Sequence, residues 1–441
     1  MTQAHAEAWV KELVPLVENV AGRKFKKVPE CKVLTTDELI KLGAEQSLVD
    51  NKDWVQRGNE SNARRLAEKR AELQFKESIA VYHYSIDKIF IVPNQVDKRM
   101  QSAKIAGSDK EKYIRAILAH ELAHALCDQY GLLEKSCFND IKPMVADNAS
   151  LTYANLRRAI PPIPDEVMAT NAAFEGFAQF IEDSVAKRLG LEEVQQRYKN
   201  YVMASGPTGA DVGAVNTAIY KLIYYSGRDF IAWHYKNRGS AFVWRILANP
   251  PATSAMVFHP ETYSPTIPAS RDYRNALGDV AKHFGNRQWK VEEVELGAMK
   301  LRGAALTLPE KDRDVFSHCD YVKDVELTGK DSSVIATLTV FDSSCEAIKY
   351  LNRKADTKVN ADLIKEPVVS GFSWIKADKT FKREYIEKKG NRKVSHRDFF
   401  VASGKVVVWL EFKNVDFPQK VLTAAFNDIF NRLPKEALQS D

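Results

Sequence analysis

The stretch IRAILAHELAHAL, residues 114–126, contains the pattern HExxH, and no charged residue other than Glu121 follows Arg115 in it. We predict a helix for this stretch. At 3.6 residues per turn, His120 and His124 are one turn apart and separated by about 40° around the axis, so both imidazoles can reach one metal ion. Glu121, about 100° from His120, would then lie beside whatever the metal activates.

The remainder of the 114–126 helix is apolar almost all round, which is typical of a buried core helix. A glutamate buried without a partner between two histidines would be costly, because an isolated buried charge is strongly penalised or loses its charge. A divalent cation removes that cost. The alternative is a chance match of five residues on an ordinary core helix.

A second predicted helix contains a candidate third ligand. Residues 166–189, EVMATNAAFEGFAQFIEDSVAKRL, follow an N-cap at Asp165 and end at Gly190. Glu175 lies in an uncharged, apolar part of this helix, and the alternative for it is an ordinary acid on the helix surface. A catalytic zinc takes three protein ligands and keeps one position open for water. We therefore predict Glu175 as the ligand that joins the two histidines, and Gly176 as the position where the two helices pack closely.

Composition limits the class of protein. The chain has 441 residues, of which 45% are hydrophobic and 28% charged, and this indicates a globular protein of two or three domains. Its net charge of +6 is spread along the chain, so we expect no nucleic-acid partner. Five scattered cysteines without a CxxC pattern do not describe a disulfide framework or a structural zinc site.

No segment has the roughly 18 to 20 apolar residues that a membrane-spanning helix needs. The N-terminus, MTQAHAEAWVKEL, lacks the basic and apolar regions of a signal peptide. This pattern fits a cytoplasmic protein or an exported mature form without its leader, and we favour the exported form, periplasmic or extracellular.

The order of predicted elements indicates an α+β fold. Residues 1–75 are predicted to be helical, and 78–93 to form a β-hairpin just before the HExxH helix. Residues 218–247 are predicted to be helical and rich in aromatic residues, which we interpret first as packing residues. Beyond residue 280, four predicted strands and two predicted helices form an accessory α+β domain.

The stretch 249–268, NPPATSAMVFHPETYSPTIP, has five prolines and is predicted to be an ordered loop. It contains His259 and Tyr263. A loop that brings a histidine and a tyrosine to a metal cleft could supply catalytic groups, and a purely structural turn is the alternative for both.

The segments AHELAHALCDQYGLLE (119–134) and NAAFEGFAQF (171–180) resemble the gluzincin zinc metallopeptidases of the peptidase MA-like superfamily. More closely, they are similar to a group of poorly characterised bacterial gluzincin-like proteins. The features shared with that group are a strand pair as at 81–93, the DQ pair after the zinc helix, the EG pair at the third ligand, and NPP…HPxxY at 249–263.

The resemblance covers roughly residues 75–265 and implies a zinc core at 76–275 within a metallopeptidase domain at 1–275, followed by the accessory domain at 280–441. It implies a mainly helical, zincin-like domain with a small N-terminal β-sheet. One departure concerns the acid that often follows the third ligand and orients a ligand histidine. Here Asp128, Glu182 and Asp183 are all candidates for that role.

The resemblance also implies an activity. One catalytic Zn²⁺ would be held by His120, His124 and Glu175, with Glu121 as the general base and a peptide or protein as the substrate. His259 or Tyr263 would stabilise the developing oxyanion. The alternative function is a zinc protein without catalytic activity that binds a partner through its C-terminal domain.

Overall fold

The structure is a computed structural model, and it describes residues 1–50, 60–133, 163–204, 212–265, 273–285, 289–307, 310–356 and 363–439. Its fold class is α+β, as predicted. Residues 266–268 of the predicted proline-rich loop lie outside the described part.

The helices of the described part are α1 (Gln3–Ala21), α2 (Thr36–Asp50), α3 (Glu60–Phe75), α4 (Pro93–Ser102), α5 (Lys110–Gln129), α6 (Asp165–Arg188), α7 (Glu192–Ala204), α8 (Val212–Arg238), α9 (Ser240–Ala248), α10 (Ala255–Phe258), α11 (Ala298–Ala305), α12 (Glu310–Ser317), α13 (Ser344–Asp356) and α14 (Gln419–Asn431). The strands are β1 (Glu30–Val33), β2 (Ala80–His83), β3 (Lys88–Ile91), β4 (Lys290–Gly297), β5 (Cys319–Thr328), β6 (Ser333–Phe341), β7 (Leu363–Ser370), β8 (Lys379–Lys389), β9 (Arg392–Ser403) and β10 (Val406–Lys413).

The small N-terminal sheet has the strand order β1-β3-β2. The predicted hairpin is confirmed, since β2 and β3 pair antiparallel. Asp87 ends its short turn with a φ of 47°, a left-handed conformation that aspartate tolerates better than most residues. The parallel strand β1 was not predicted, because a strand of four residues is too short to show a period of two. Strand β2 therefore lies at an edge of this sheet.

The HExxH motif lies on α5, which is buried on nearly every face from Tyr113 to Cys127, as the apolar sequence predicts. Helix α6 packs against it and has the predicted length within one residue. The predicted N-cap at Asp165 is wrong by one residue, because Pro164 is the N-cap. The Asp165 carboxylate instead accepts hydrogen bonds from the backbone and hydroxyl of Ser254, both distant in sequence.

Gly176 lies at a close helix crossing, as predicted. The neighbouring helix, however, is α8, whereas the sequence analysis predicted α5. A Cβ on Gly176 would lie 2.1 Å from the carbonyl carbon of Gly227. A Cβ on Gly227 would lie 2.0 Å from the carbonyl oxygen of Ala172. The reason is helical geometry: consecutive residues are about 100° apart, so a helix that turns Glu175 towards α5 turns Gly176 away from it.

Two further elements differ from the predicted ones. The predicted helix at 218–247 is two helices, because Gly239 adopts a φ of 78° between α8 and α9. The C-terminal sheet has seven antiparallel strands in the order β4-β5-β6-β10-β9-β8-β7, of which β5, β7 and β8 were not predicted. Helix α13 packs on one face of this sheet. Helix α14 packs on the opposite face, where its buried residues and those of the sheet form a second hydrophobic cluster.

The hydrophobic core crosses the predicted boundary between the two domains. One cluster of buried residues extends from α1 through α5, α6 and α8 to α11, α13 and β9. Helix α11 packs directly on α8, where a Cβ on Gly303 would lie 2.6 Å from a side-chain carbon of Ile219. The division at 275–280 therefore stays a prediction. In the described part of the chain, no helix is long and apolar enough to cross a membrane.

The Gly176–Gly227 crossing generates a prediction about stability. Gly227→Ala places a methyl group against the backbone of Ala172, and backbone cannot move aside without separating α6 from α8. We expect a loss of about 2 to 3 kcal/mol in the free energy of unfolding, measured by chemical denaturation. Gly107→Ala is the matched control, because nothing lies within 4 Å of a Cβ there and its stability should be nearly that of the wild type. Equal stability of the two variants would contradict the close crossing.

Candidate metal centre

Three side chains from α5 and α6 converge in the core. Donor atoms of His120, His124 and Glu175 all lie within 4.8 Å of one another, so that the three residues could hold a metal ion. The two histidines are one turn apart, and their ring centroids are separated by 4.8 Å. Both rings face Glu175, which is 2% exposed. The structure thus brings together the three residues that the sequence singled out as ligands.

Two of the distances between the donors, those from Glu175, are compatible with a zinc ion. The Glu175 carboxylate oxygen Oε2 lies 3.1 Å from His120 Nε2 and 3.4 Å from His124 Nε2. Zinc binds such nitrogen and oxygen donors at about 2.0 to 2.2 Å in tetrahedral geometry. Two donors at those bond lengths are roughly 3.3 to 3.5 Å apart, close to the observed separations.

Glu182 lies against one of the candidate ligands. Its Oε2 atom lies 3.1 Å from Nδ1 of His120, and its other oxygen accepts a hydrogen bond of 2.7 Å from Gln195. A proton on Nδ1 that is shared with Glu182 leaves the Nε2 lone pair for a metal, the arrangement common for ligand histidines. Glu182 lies two turns after Glu175 on α6, so one helix contacts both nitrogens of the ring.

The structure also shows partners of the other two candidates for this orienting role. The Asp128 carboxylate accepts a hydrogen bond of 2.5 Å from the hydroxyl of Tyr82. Asp183 accepts a hydrogen bond from Gln179 and pairs with Arg228 at 3.5 Å. Of the three acids that the sequence left open, the structure places Glu182 against a candidate ligand.

The charges at the centre act on one another strongly. Burial alone would raise the pKa of Glu175, but the adjacent His124 and His120 outweigh it and lower this pKa to about 2. Burial would likewise lower the pKa of His120, but Glu175 and Glu182 hold it well above its usual value. The centre therefore keeps Glu175 ionised and needs a positive charge beside it, either a proton or a metal ion.

Glu121 lies beside the three donors and is held by the edge strand β2. Its Oε2 atom accepts a hydrogen bond of 2.6 Å from the backbone N–H of Tyr82. Because that N–H points towards Glu121, it points away from β3, and the outer edge of β2 faces the metal centre. Burial raises the pKa of Glu121, and the neighbouring histidines only partly offset it.

Tyr224 is a residue of this centre that the sequence did not identify. Its ring stacks on that of His120 at a centroid distance of 5.9 Å, and its hydroxyl is close enough to Glu175 for the carboxylate to act on its pKa. The hydroxyl also accepts a hydrogen bond of 2.8 Å from Tyr220, one turn earlier on α8. The aromatic residues of this helix were interpreted as packing residues, since the sequence does not reveal which face of α8 meets the other helices.

His259 lies against the C-terminal sheet. Its Nε2 atom is 3.2 Å from the Asp320 carboxylate of β5, which also accepts a hydrogen bond from Arg302. The hydrogen bond to Asp320 raises the pKa of His259, although burial opposes the rise. The Nε2 atom of His259 thus faces β5 and α11, its Nδ1 atom lies 3.9 Å from Glu261, and among the described residues His259 is not part of the cluster of donors.

Tyr263 is 3% exposed and closes the loop that contains it. Its hydroxyl donates a hydrogen bond of 2.6 Å to the carbonyl oxygen of Asn249, and its ring packs against Phe230 and His234. These contacts match the structural alternative for the HPxxY turn. A catalytic role for His259 or Tyr263 stays a prediction, and the proposal below gives the donor role to another residue.

No protein-family model matches the chain, and no curated protein sequence does either. A crystal structure of a Chloroflexus aurantiacus protein, provisionally assigned as a hydrolase with a novel fold, is similar over 59% of this chain and 87% of its own, with 15% identity and a TM-score of 0.41. The extracellular domain of PknH from Mycobacterium tuberculosis is similar over 35% of this chain and 90% of its own, with 7% identity and a TM-score of 0.25. Both likenesses are weak, so the function is argued from the site.

The contact between Glu182 and His120 generates a prediction about metal affinity. Glu182→Gln keeps the size of the side chain but removes the charge that holds the His120 proton on Nδ1. We expect zinc to bind about 10- to 100-fold more weakly, measured by competition with a fluorescent chelator. Glu166→Gln, an exposed position on the same helix, should leave the affinity unchanged. Unaltered affinity in Glu182→Gln would exclude the orienting role.

Proposed function

We propose that the protein is a zinc-dependent hydrolase that cleaves peptide bonds. The observation that supports this most directly is the convergence of two imidazoles and one buried carboxylate on a common point, with a second buried carboxylate, Glu121, held next to them. A zinc ion bound there would polarise a scissile carbonyl and lower the pKa of water towards neutrality.

In the proposed mechanism Glu121 is the general base. It takes the proton of the attacking water and passes it to the leaving amine. The Tyr82 N–H holds one of its oxygens, so the other oxygen performs the transfer. A carboxylate in water is a weak base, and the raised pKa of buried Glu121 brings its basicity closer to what proton transfer at neutral pH requires.

Tyr224 is proposed to donate a hydrogen bond to the carbonyl oxygen as negative charge develops on it. Its hydroxyl lies beside Glu175 and thus at the rim of the donor cluster. Burial and the nearby Glu175 carboxylate raise the pKa of Tyr224, so the phenol keeps its proton at neutral pH and remains a donor. The stacking on His120 fixes the plane of its ring.

Strand β2 is proposed to align the substrate. Tyr82 directs its backbone N–H away from β3, and the flanking residues of β2 alternate between the two sides, so backbone groups of Ala80 also face outwards. An extended peptide can pair with such an edge by main-chain hydrogen bonds.

The proposed location outside the cytoplasm, in the periplasm or medium, stays a separate prediction.

The proposal is tested first at Glu121. Glu121→Gln should bind one zinc ion per chain, as the wild type does, and lose at least about 1,000-fold in hydrolysis, because the base is removed while the three ligands are kept. Zinc is measured by mass spectrometry of the metal, and hydrolysis with a quenched fluorescent peptide library. Glu111→Gln, on the exposed side of the same helix, should behave as the wild type.

Two results would contradict the proposal. Equal hydrolysis by the wild type and Glu121→Gln would remove Glu121 as the base. A wild type that binds zinc in stoichiometric amount but cleaves no peptide would favour the alternative function, a zinc protein that binds a partner through its C-terminal domain.

The role of Tyr224 is tested by Tyr224→Phe, which keeps the ring and removes the hydroxyl. We expect kcat to fall about 100- to 1,000-fold with little change in KM, because the hydrogen bond forms as charge develops. Tyr235→Phe on the same helix is the control and should keep full activity. A kcat of the wild-type value in Tyr224→Phe would show that the donor lies elsewhere.

A further inference from the structure

The hairpin that joins β8 and β9 ends in KKGNRK, residues 388–393, a stretch with four positive charges and no acid. A glycine with a φ of 62° begins its two-residue turn. The strands place Lys388 directly opposite Lys393, and Lys389 directly opposite Arg392. We call these four residues the basic tip. Like charges in cross-strand pairs lower the stability of a hairpin, so the basic tip has a cost that the fold does not require.

Three of the four cations in the basic tip have no acid beside them. Arg392 pairs at 3.5 Å with Asp331, which lies in the turn between β5 and β6. Among the described residues, no carboxylate lies within ion-pair distance of the three lysines, and all three lysines are exposed. Uncompensated cations that a rigid turn holds together attract a surface with many negative charges.

The edge strand β7 lies beside the basic tip and exposes aliphatic side chains. Leu363 at the start of β7 is paired with Glu387, the residue just before the tip. Ile364, Val368 and Val369 are 45%, 51% and 45% exposed, and we call these three residues the apolar edge. This side of the C-terminal sheet thus combines positive charge with exposed apolar surface.

These two features together select among the possible partners. A further β-strand fits poorly, because Pro367 has no N–H to donate and the pairing of β7 with β8 is irregular between Lys365 and Val368. A nucleic acid would use the positive charge, but the tip has no aromatic side chain on which a base could stack. A bilayer with anionic headgroups uses both features, because its phosphates attract lysines and its interface takes up aliphatic side chains.

We propose that the C-terminal sheet docks on an anionic lipid bilayer, with the basic tip against the headgroups and the apolar edge in the interface. Such docking does not depend on the proposed hydrolysis. Each basic residue close to an anionic membrane strengthens binding about fivefold, so the three unpaired lysines together account for about 100-fold.

The test measures binding of the full chain to lipid vesicles by co-sedimentation. One set of vesicles is pure phosphatidylcholine, and the other contains about one third phosphatidylglycerol. We expect at least about 100-fold tighter binding to the anionic vesicles. That affinity should fall at least about tenfold when the salt concentration rises from about 0.1 M to about 0.5 M, because salt screens the lysines. Equal binding to both sets, or binding to neither, would overturn the proposal.

The basic tip is tested by a variant that combines Lys388→Gln, Lys389→Gln and Lys393→Gln. It should bind the anionic vesicles about 100-fold more weakly than the wild type. It should unfold at the same temperature as the wild type or higher, because the opposed lysines no longer repel the charges across the hairpin. A weaker affinity in this variant therefore does not result from a damaged fold.

The matched control removes the same net charge from another part of the molecule. It replaces three exposed lysines of the N-terminal helices α1, α2 and α3 with glutamine: Lys11, Lys41 and Lys69. This control should bind the anionic vesicles as the wild type does. Unchanged binding in the tip variant, or an equal loss in the control, would show that no specific docking surface exists at the tip.

The apolar edge is tested by a variant that combines Ile364→Ser, Val368→Ser and Val369→Ser. All three positions are exposed, so the core is left intact. We expect about tenfold weaker binding to the anionic vesicles, with the same dependence on salt as in the wild type, because apolar contact is lost and the charges are kept. Unchanged affinity would contradict the insertion of this edge.

The same variants identify the other possible partners. If the wild type binds a duplex oligonucleotide and no vesicle, and the tip variant loses that binding, the partner is a nucleic acid and the proposal is wrong. If the wild type binds no vesicle, is a dimer by sedimentation velocity and becomes a monomer in the edge variant, a second copy covers the edge and the proposal is likewise wrong.

Discussion

The arrangement of the candidate metal centre depends on one buried negative charge, the carboxylate of Glu175. It is removed from water by α5, α6 and α8, and such a group is tolerated only when opposite charge or hydrogen bonds replace its hydration. His120 and His124 supply those partners. Since Glu182 contacts the opposite side of the His120 ring, two carboxylates of α6 hold one imidazole of α5. This fixes how the two helices lie along each other.

Strand β2 completes the site from the other side of α5. Tyr82 contacts the proposed base through its backbone, while its hydroxyl hydrogen-bonds with Asp87 in the hairpin turn and with Asp128 at the end of α5. One residue thus ties strand, turn and helix together. The neighbouring Gln129 bonds to the backbone of Lys26 and Lys27. The DQ pair therefore supports the position of α5 against the N-terminal part of the chain.

The sequence predicted the parts of this site that are local or chemically unusual. HExxH has its spacing within one helix, and Glu175 was found because an acid in an apolar helix needs a partner. Tyr224 was not found, because an aromatic residue on a buried helix has the same pattern whether it faces the core or a cleft. The partner of Gly176 was also mistaken, since sequence shows that a close approach is needed but not which helix approaches. Strand β1 was too short to be recognised.

The loop at 249–263 has a physical role that its resemblance to known proteins did not reveal. Ser254 is fully buried and donates two hydrogen bonds to Asp165 at the start of α6, while its hydroxyl accepts one from the backbone of Met299. Burial raises the pKa of Asp165 to about 6, even though the hydrogen bonds from Ser254 act against it. The contact therefore joins the C-terminal part of the chain to the first residue of the helix that holds Glu175. A site whose donors must be held within about 0.5 Å depends on such support. The loop holds the start of α6 and thereby supports the candidate metal centre, without any contact between its histidine or tyrosine and the donors.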